Sequence, residues 1–285
     1  MGRFAPSPTG SLHLGSLVAA LGSYLDARTH GGRWLVRMED LDTPRVIPGC
    51  AARMLATLEG FALTWDGPVE YQSQHTGAYG EALQQLQLRS ATFECSCSRS
   101  ERQGEGGYTG TCRAGPTRPG PTATRLRVPR GTLTFEDRIQ GSCSFELAER
   151  GDVIVRRRDG SVAYQLAVVV DDARQGVTDI VRGADLLDST PWQITLQGTL
   201  GLPPVRYAHL PLVTEPTGLK LAKSRRSVAL DVDKAGPQLH EALELLRQSP
   251  PTELKLAPAA ELLDWAREHW DITPMRGLRQ VRPAV

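Results

Sequence analysis

In RFAPSPTGSLHLGSLVAAL, Arg3 to Leu21, a short segment enters a turn marked by Pro6, Pro8 and Gly10, and Leu14, Leu17, Val18, Leu21 and then Leu25 follow at helical spacing. The pattern predicts a strand, a tight loop and a helix N-terminus. Such a terminus turns unpaired backbone N–H groups and the positive end of the helix dipole toward whatever lies before it, which suits a phosphate. Gly15 would let that ligand come close to the backbone.

The same rhythm continues through RWLVRME, a helix near Ala51 to Glu59 and another through Ala78 to Leu88, which predicts an α/β fold with a parallel sheet. From Cys95 to about Pro121 the chain turns rich in Gly, Ser, Arg and Cys and loses periodicity, so something other than apolar burial must hold it. Strand-like pieces follow in TRLRVP, GTLTFEDRIQGSCSFEL and DVIVRRRDG. AYQLAVVVDD then reads as a strand buried on both faces. Residues of roughly 90 to 160 are therefore expected to be inserted into an α/β domain that resumes through DIVRG, a helix capped by Thr190 with Pro191 in its first turn, and VRYAHLPLV. After Ser227 the spacing of Leu239, Leu243 and Leu246, and of Leu262, Leu263 and Ala266, predicts helices to the end.

With 285 residues the chain can bury a sizeable core as one large domain or two smaller ones. Its net charge of +1 shows no global basic excess, so any nucleic-acid contact must come from local patches such as Arg125, Arg127, Arg130 and Arg156 to Arg158. No targeting segment precedes Arg3 and no apolar run reaches about eighteen residues, so a cytoplasmic protein with no membrane partner, and a monomer, are expected. Three of the five cysteines crowd into Cys95, Cys97 and Cys112, which fits a metal site in a reducing compartment better than a disulfide framework. Cys50 and Cys143 read as buried residues.

A second loop, GLKLAKSRRS from Gly218 to Ser227, carries Lys220 and Lys223 beside Ser224. It is not a Walker A loop, because the glycine required before Lys223 is replaced by Ala222, and no G-x-G-x-x-G follows the first strand. The two loops in this order resemble the HIGH signature (HLGS, His13 to Ser16) and the KMSKS loop (KLAKS, Lys220 to Ser224) of class I aminoacyl-tRNA synthetases. RFAPSPTGSLHLGS, RMEDLD, YQLAVVVDD and RGADLLDSTPWQ further resemble glutamyl-tRNA synthetases. Only about sixty residues follow the KLAKS loop, which leaves no room for the long anticodon-binding region of that group. The chain is therefore similar to the truncated paralogues, the glutamyl-Q tRNA(Asp) synthetases, and RGADLL and GSYLDART point the same way.

The resemblance implies a Rossmann-type class I catalytic domain in two halves, 1–89 and 161–227, a zinc-containing insertion at 90–160 and a short helical C-terminal region at 228–285. It implies tRNA-independent activation of L-glutamate with ATP, Mg2+ assisting, and transfer to queuosine in the anticodon of tRNA(Asp); charging of an acceptor end is the alternative. His13, Gly15, Lys220 and Lys223 would serve catalysis, with His13, Gly15 and Lys223 on ATP. Arg3, Phe4, Ala5, Pro6, Ser7, Glu39, Tyr164 and Arg182 would contact glutamate. The guanidinium groups suit its carboxylates and Glu39 its ammonium. One structural zinc would be held by Cys95, Cys97, Cys112 and Tyr108, with a water or Glu101 an open alternative in the fourth place.

Overall fold

The computed structural model describes residues 1–98, 108, 110–214 and 228–283. The expected opening unit is present: β1 (Gly2–Phe4) passes through the proline-marked loop into α1 (Leu14–Thr29). His13 caps this helix, its Nδ1 accepting from the Ser16 N–H at 3.3 Å while Ser16 Oγ accepts from the His13 N–H at 3.4 Å. The exchange closes a capping box. From Leu17 to Ala27 α1 is buried almost throughout, which makes it the central helix. A Cβ on Gly22 would meet Leu210 Cδ1 at 2.6 Å, so a larger residue there would force the Leu210 side chain to shift.

β2 (Trp34–Met38), α2 (Cys50–Gly60), β3 (Glu70–Tyr71) and α3 (Thr76–Leu88) follow, with β2 parallel to both β1 and β3. Between α3 and the next long helix lie β4 (Thr92–Cys95), β5 (Ala123–Leu126), the hairpin of β6 (Thr132–Asp137) and β7 (Gly141–Glu146), the short α4 (Leu147–Arg150) and β8 (Ile154–Arg156). β4, β5 and β8 form a separate antiparallel sheet. Within the 90–160 stretch, then, the two groups of strands part company, because β6 joins another sheet.

AYQLAVVVDD is not a strand. It forms α5 (Tyr164–Arg174), whose residues from Leu166 to Asp172 are all buried. β9 (Asp179–Gly183), α6 (Thr190–Leu200), β10 (Arg206–Leu210) and β11 (Leu212–Val213) complete this half. The cap of α6 is Ser189 rather than Thr190, and no side-chain cap bond forms there. Thr190 is occupied elsewhere, as its hydroxyl accepts from Arg182 Nη2 at 2.9 Å.

The C-terminal part contains α7 (Ala235–Leu245) and α8 (Ala259–His269), but it does not stay helical to its end: β12 (Gln280–Val281) returns to pair with β11. Leu239, Leu243, Leu262, Leu263 and Val281 share one core with Leu17, Leu21 and Val36, so this part is built into the catalytic half and is not an appendage. No helix of the described residues is long and apolar enough to cross a membrane.

Two hydrogen-bonded groups of strands set the site. β3-β2-β1 is one, and β9-β10-β6-β7 the other, with β9, β10 and β6 mutually parallel. They meet where the Met1 carbonyl accepts from the N–H groups of Thr178 and Asp179, at 3.0 and 3.1 Å, so that β1 runs beside β9. The strand order reverses at this point. In open α/β sheets such a switch opens a crevice beyond the C-terminal ends of the strands, where ligands bind.

Candidate active site

A cavity of about 1040 Å³ lies at that switch point. Its wall is made by residues at or just beyond the C-terminal ends of the parallel strands: Phe4 at the end of β1 and Ala5 after it, Glu39 after β2, Arg182 and Gly183 on β9, and Leu210 on β10. Pro6, Ser7, His13, Gly15, Tyr164 and Arg3 complete the group. Every described residue expected to contact glutamate or ATP thus lines one space.

The floor is a buried ion network. Arg3 Nε and Nη2 donate to the two oxygens of Asp172 at 3.0 and 3.2 Å, and Arg37 Nη1 donates to the first of them at 2.9 Å. Burial opposes ionisation of Asp172, yet the two guanidinium groups hold its carboxyl below the ordinary carboxylate range. Beside it, Asp171 accepts from Gln72 at 2.9 Å and from Tyr79 at 2.8 Å. Glu39 faces the cavity with Oε1 3.5 Å from Arg37 Nη2, and burial pushes its carboxyl up despite the pull of Arg37 and Arg3. A carboxylate in that condition gains from an arriving cation. Arg182 is 5% exposed. Its Nε and Nη2 are bonded to His209 and Thr190, while Nη1 has no hydrogen-bond partner among the described residues.

His13 has Nδ1 committed to the cap of α1, which puts the proton of a neutral ring on Nε2 and makes that atom a donor. The reason for glycine at position 15 differs in part from the one expected: a Cβ there would press on His13 Cε1 at 3.1 Å and Nδ1 at 3.2 Å. Gly15 therefore also protects the seating of the imidazole. Lys220 and Lys223 lie outside the described residues. The residues on either side do reach the site, since Val213 and Ala229 line the cavity and Ala229 forms a β-bridge with His13.

The family described as tRNA synthetases class I (E and Q), catalytic domain, matches residues 1–243. Within it, the glutamyl-Q tRNA(Asp) synthetase of Ectopseudomonas mendocina (strain ymp) is 55% identical over 273 residues, covering 95% of this chain and 93% of the relative. That of Dechloromonas aromatica (strain RCB) is 53% identical over 290 residues, with 97% and 96% covered. The chain belongs to the glutamyl-Q tRNA(Asp) synthetase family. It is accordingly a ligase of the aminoacyl-tRNA synthetase type. A crystal structure of glutamate-tRNA synthetase from Elizabethkingia anophelis shares its fold at 22% identity, with a TM-score of 0.82 over 99% of this chain and 68% of that one.

Apart from the cavity, Cys95, Cys97 and Cys112 are buried with their sulfur atoms all within 4.8 Å of one another, close enough to hold one metal ion. Cys97 and Cys112 Sγ are 3.4 Å apart, and Tyr108 Oη lies 3.5 Å from Cys95 Sγ and 3.8 Å from Cys97 Sγ. A tetrahedral zinc about 2.3 Å from each thiolate sets its ligands about 3.8 Å apart, a spacing the three thiols could meet. Burial and the hydrogen bonds with the three cysteine side chains push the Tyr108 phenol up, while the Cys112 N–H donating to Oη at 2.7 Å works the other way. Cys112 is held down to about 5, where burial is outweighed by hydrogen bonds from Tyr108 and around Ser96. Glu101 lies outside the described residues. Cys50 and Cys143 are buried, as expected.

One expected nucleic-acid contact is corrected. Arg125 is buried, with its guanidinium on the Tyr108 ring and bonded to the Asp152 carbonyl, so it does not offer itself to phosphates. Arg158 donates from Nη2 to the carbonyls of Ser96 and Cys97 but stays exposed. The sequence reading also missed Arg37, Asp171, Asp172 and Gln72, which form the floor. The available signal was two adjacent aspartates ending an apolar run, which a fully buried helix tolerates only when cations meet them.

Proposed function

We propose that the protein condenses L-glutamate with ATP to glutamyl-adenylate without tRNA, and then transfers the glutamyl group to the cyclopentene-diol of queuosine in the anticodon of tRNA(Asp). A glutamate carboxylate oxygen attacks the α-phosphorus and pyrophosphate leaves; a cyclopentene-diol hydroxyl then attacks the acyl carbon, its proton passes to the phosphate of the departing group, and AMP leaves. The carboxylate is already a nucleophile, so the first step needs positioning and charge stabilisation more than a base. His13 Nε2–H donates to a phosphate oxygen, and Lys223, with Lys220 nearby in sequence, neutralises the departing pyrophosphate. The Nη1 of Arg182 receives a glutamate carboxylate, Arg3 adds positive potential from the floor, Glu39 takes the ammonium, and Tyr164 closes that side. Zinc held by Cys95, Cys97, Cys112 and Tyr108 would supply a tetrahedral cross-link to a segment with a small apolar core of its own.

The observation that carries this reading is that buried Arg182, whose Nη1 has no hydrogen-bond partner among the described residues, lines one cavity with Glu39, whose carboxyl burial raises although Arg37 lies 3.5 Å away: opposite charges placed to match a zwitterion with a further acid. The test is ATP–pyrophosphate exchange with glutamate, with and without tRNA, followed by mapping of labelled glutamate. Exchange without tRNA is expected, with label that survives removal of the terminal adenosine and disappears with tRNA lacking queuosine. Label released by trimming the acceptor end decides for ordinary charging.

Glu39 also predicts a pH dependence. Its carboxyl is raised, so as pH falls the group takes its proton before an ordinary glutamate does, and ammonium binding weakens from above the usual range near 4.3 downward. The kcat/KM for glutamate is expected to fall on that acid limb. Glu39→Gln should lower the plateau and remove the limb; an unchanged limb in the variant assigns it to another group.

A further inference from the structure

Two buried residues behind Arg182, Asp137 and His209, have no part in the chemistry above. His209 on β10 is the direct register partner of Arg182 on β9, and β10 also lies against β6, which ends at Asp137. The three side chains meet in a line across three neighbouring strands. Asp137 Oδ2 is 2.6 Å from His209 Nδ1, and His209 Nε2 is 3.1 Å from Arg182 Nε. All three residues are buried, at 3%, 0% and 5% exposure.

The hydrogen bonds fix which atom carries which proton. Arg182 Nε–H can only donate, so His209 Nε2 accepts and the imidazole proton sits on Nδ1, where the Asp137 carboxylate takes it. The other oxygen, Asp137 Oδ1, accepts backbone N–H groups from Ile139, Gln140 and His209 at 3.0, 2.8 and 3.1 Å. That carboxylate can neither rotate nor exchange its oxygens without stranding three donors. Thr190 holds Arg182 Nη2 at 2.9 Å, and the guanidinium is pinned at two nitrogens while the third, with no partner among the described residues, faces the cavity it lines.

We infer that Asp137 and His209 are positioning residues for substrate selection: they fix the tautomer that locks the Arg182 guanidinium plane, and so aim Nη1 at the carboxylate of the bound amino acid. The inference rests on the reading of Arg182 as the glutamate-carboxylate ligand. It also gives the β6–β7 hairpin a task beyond packing, since the Asp137 carboxylate is what that hairpin delivers to β10.

The deciding variant is Asp137→Asn. Its amide oxygen stays with the three backbone donors, so the amide NH2 faces His209, whose Nδ1 must now accept. The ring proton moves to Nε2 and opposes the Arg182 Nε–H, donor against donor. The glutamate KM in pyrophosphate exchange is expected to rise about tenfold to a hundredfold, with the ATP KM within about twofold and kcat at saturating glutamate largely kept. A glutamate KM that does not move, or that moves equally with the ATP KM, overturns the role. Arg182→Lys is measured alongside. If that variant keeps the wild-type glutamate KM, the carboxylate reading itself fails and the relay falls with it; if its KM rises while that of Asp137→Asn does not, the relay alone fails. Nitrogen-15 NMR of the histidine-labelled unaltered protein tests the tautomer even if Asp137→Asn fails to fold: His209, assigned by its loss in His209→Gln, must carry its proton on Nδ1. A signal protonated on Nε2 overturns the inference.

Discussion

Asp172→Ala is expected to destabilise the protein by about 3–5 kcal/mol and to abolish glutamate-dependent pyrophosphate exchange. Asp172 is the shared anion of two guanidinium groups, Arg3 and Arg37, that are 4% and 0% exposed. Removing it leaves two cations buried with their main partner gone, and Arg3 loses both bonds that hold it against the cavity wall. A shift of this size is a large share of a typical folding free energy of about 5–15 kcal/mol. The neighbouring Asp171 supplies the contrast. Burial raises its carboxyl and so already opposes its charge, and Asp171→Asn, which keeps an acceptor for Tyr79, should cost less than Asp172→Asn. The pH dependence follows the two signs. The lowered Asp172 contributes stability above the ordinary aspartate value near 3.9 and loses it as pH falls below that value. The raised Asp171 contributes with the opposite sign, stability present below the ordinary value and lost as pH rises through the folded one. Urea midpoints of wild type and Asp172→Asn should therefore converge in acid; a gap that stays constant to pH 2.5 refutes the assignment of charge to Asp172.

Why this network escaped the sequence reading is a matter of periodicity. Leu166 to Val170 is continuously apolar and rich in β-branched valine, a run that suits a doubly buried strand as well as a helix surrounded on all sides. α5 is the second case, and its 11 residues are long for a strand. The aspartates closing the run could be seen in the sequence; their partners could not, because Arg3 and Arg37 are 169 and 135 residues away along the chain. By contrast the loop from Arg3 to Gly15 was readable because its logic is local: prolines set the turn, His13 caps the helix it precedes, and Gly15 sits two residues on. The cysteine cluster was readable for the same reason. The Asp137–His209–Arg182 line was not, since it depends on a hairpin from the cysteine-bearing half of the chain joining the sheet of the other half, a pairing no short-range pattern announces.

Cys97→Ser is expected to lose stoichiometric zinc, one ion per chain in the wild type, and to open the segment between β4 and β5 to proteases at a temperature where the catalytic half stays folded. The separation of effects has a structural basis. The thiol cluster packs with Phe93 and Tyr108 in a small apolar group of its own, beside the sheet of β4, β5 and β8, and among the described residues it shares no core residue with α1 or the parallel strands. With so little apolar burial among its described residues, a metal held by the thiolates would be a main stabiliser, and removing one thiolate would expose the others to protonation and exchange with water. Arg158 transmits part of the loss. It donates to the carbonyls of Ser96 and Cys97, and its neighbour Arg157 lines the cavity mouth 3.8 Å from Asp42. Transfer to tRNA should therefore suffer more than pyrophosphate exchange, whose residues stand on β1, β9 and α1. Metal analysis and limited proteolysis, run beside both assays, check this directly. Retained zinc in Cys97→Ser rejects the ligand assignment, and equal loss of exchange and transfer rejects the separation of the two parts.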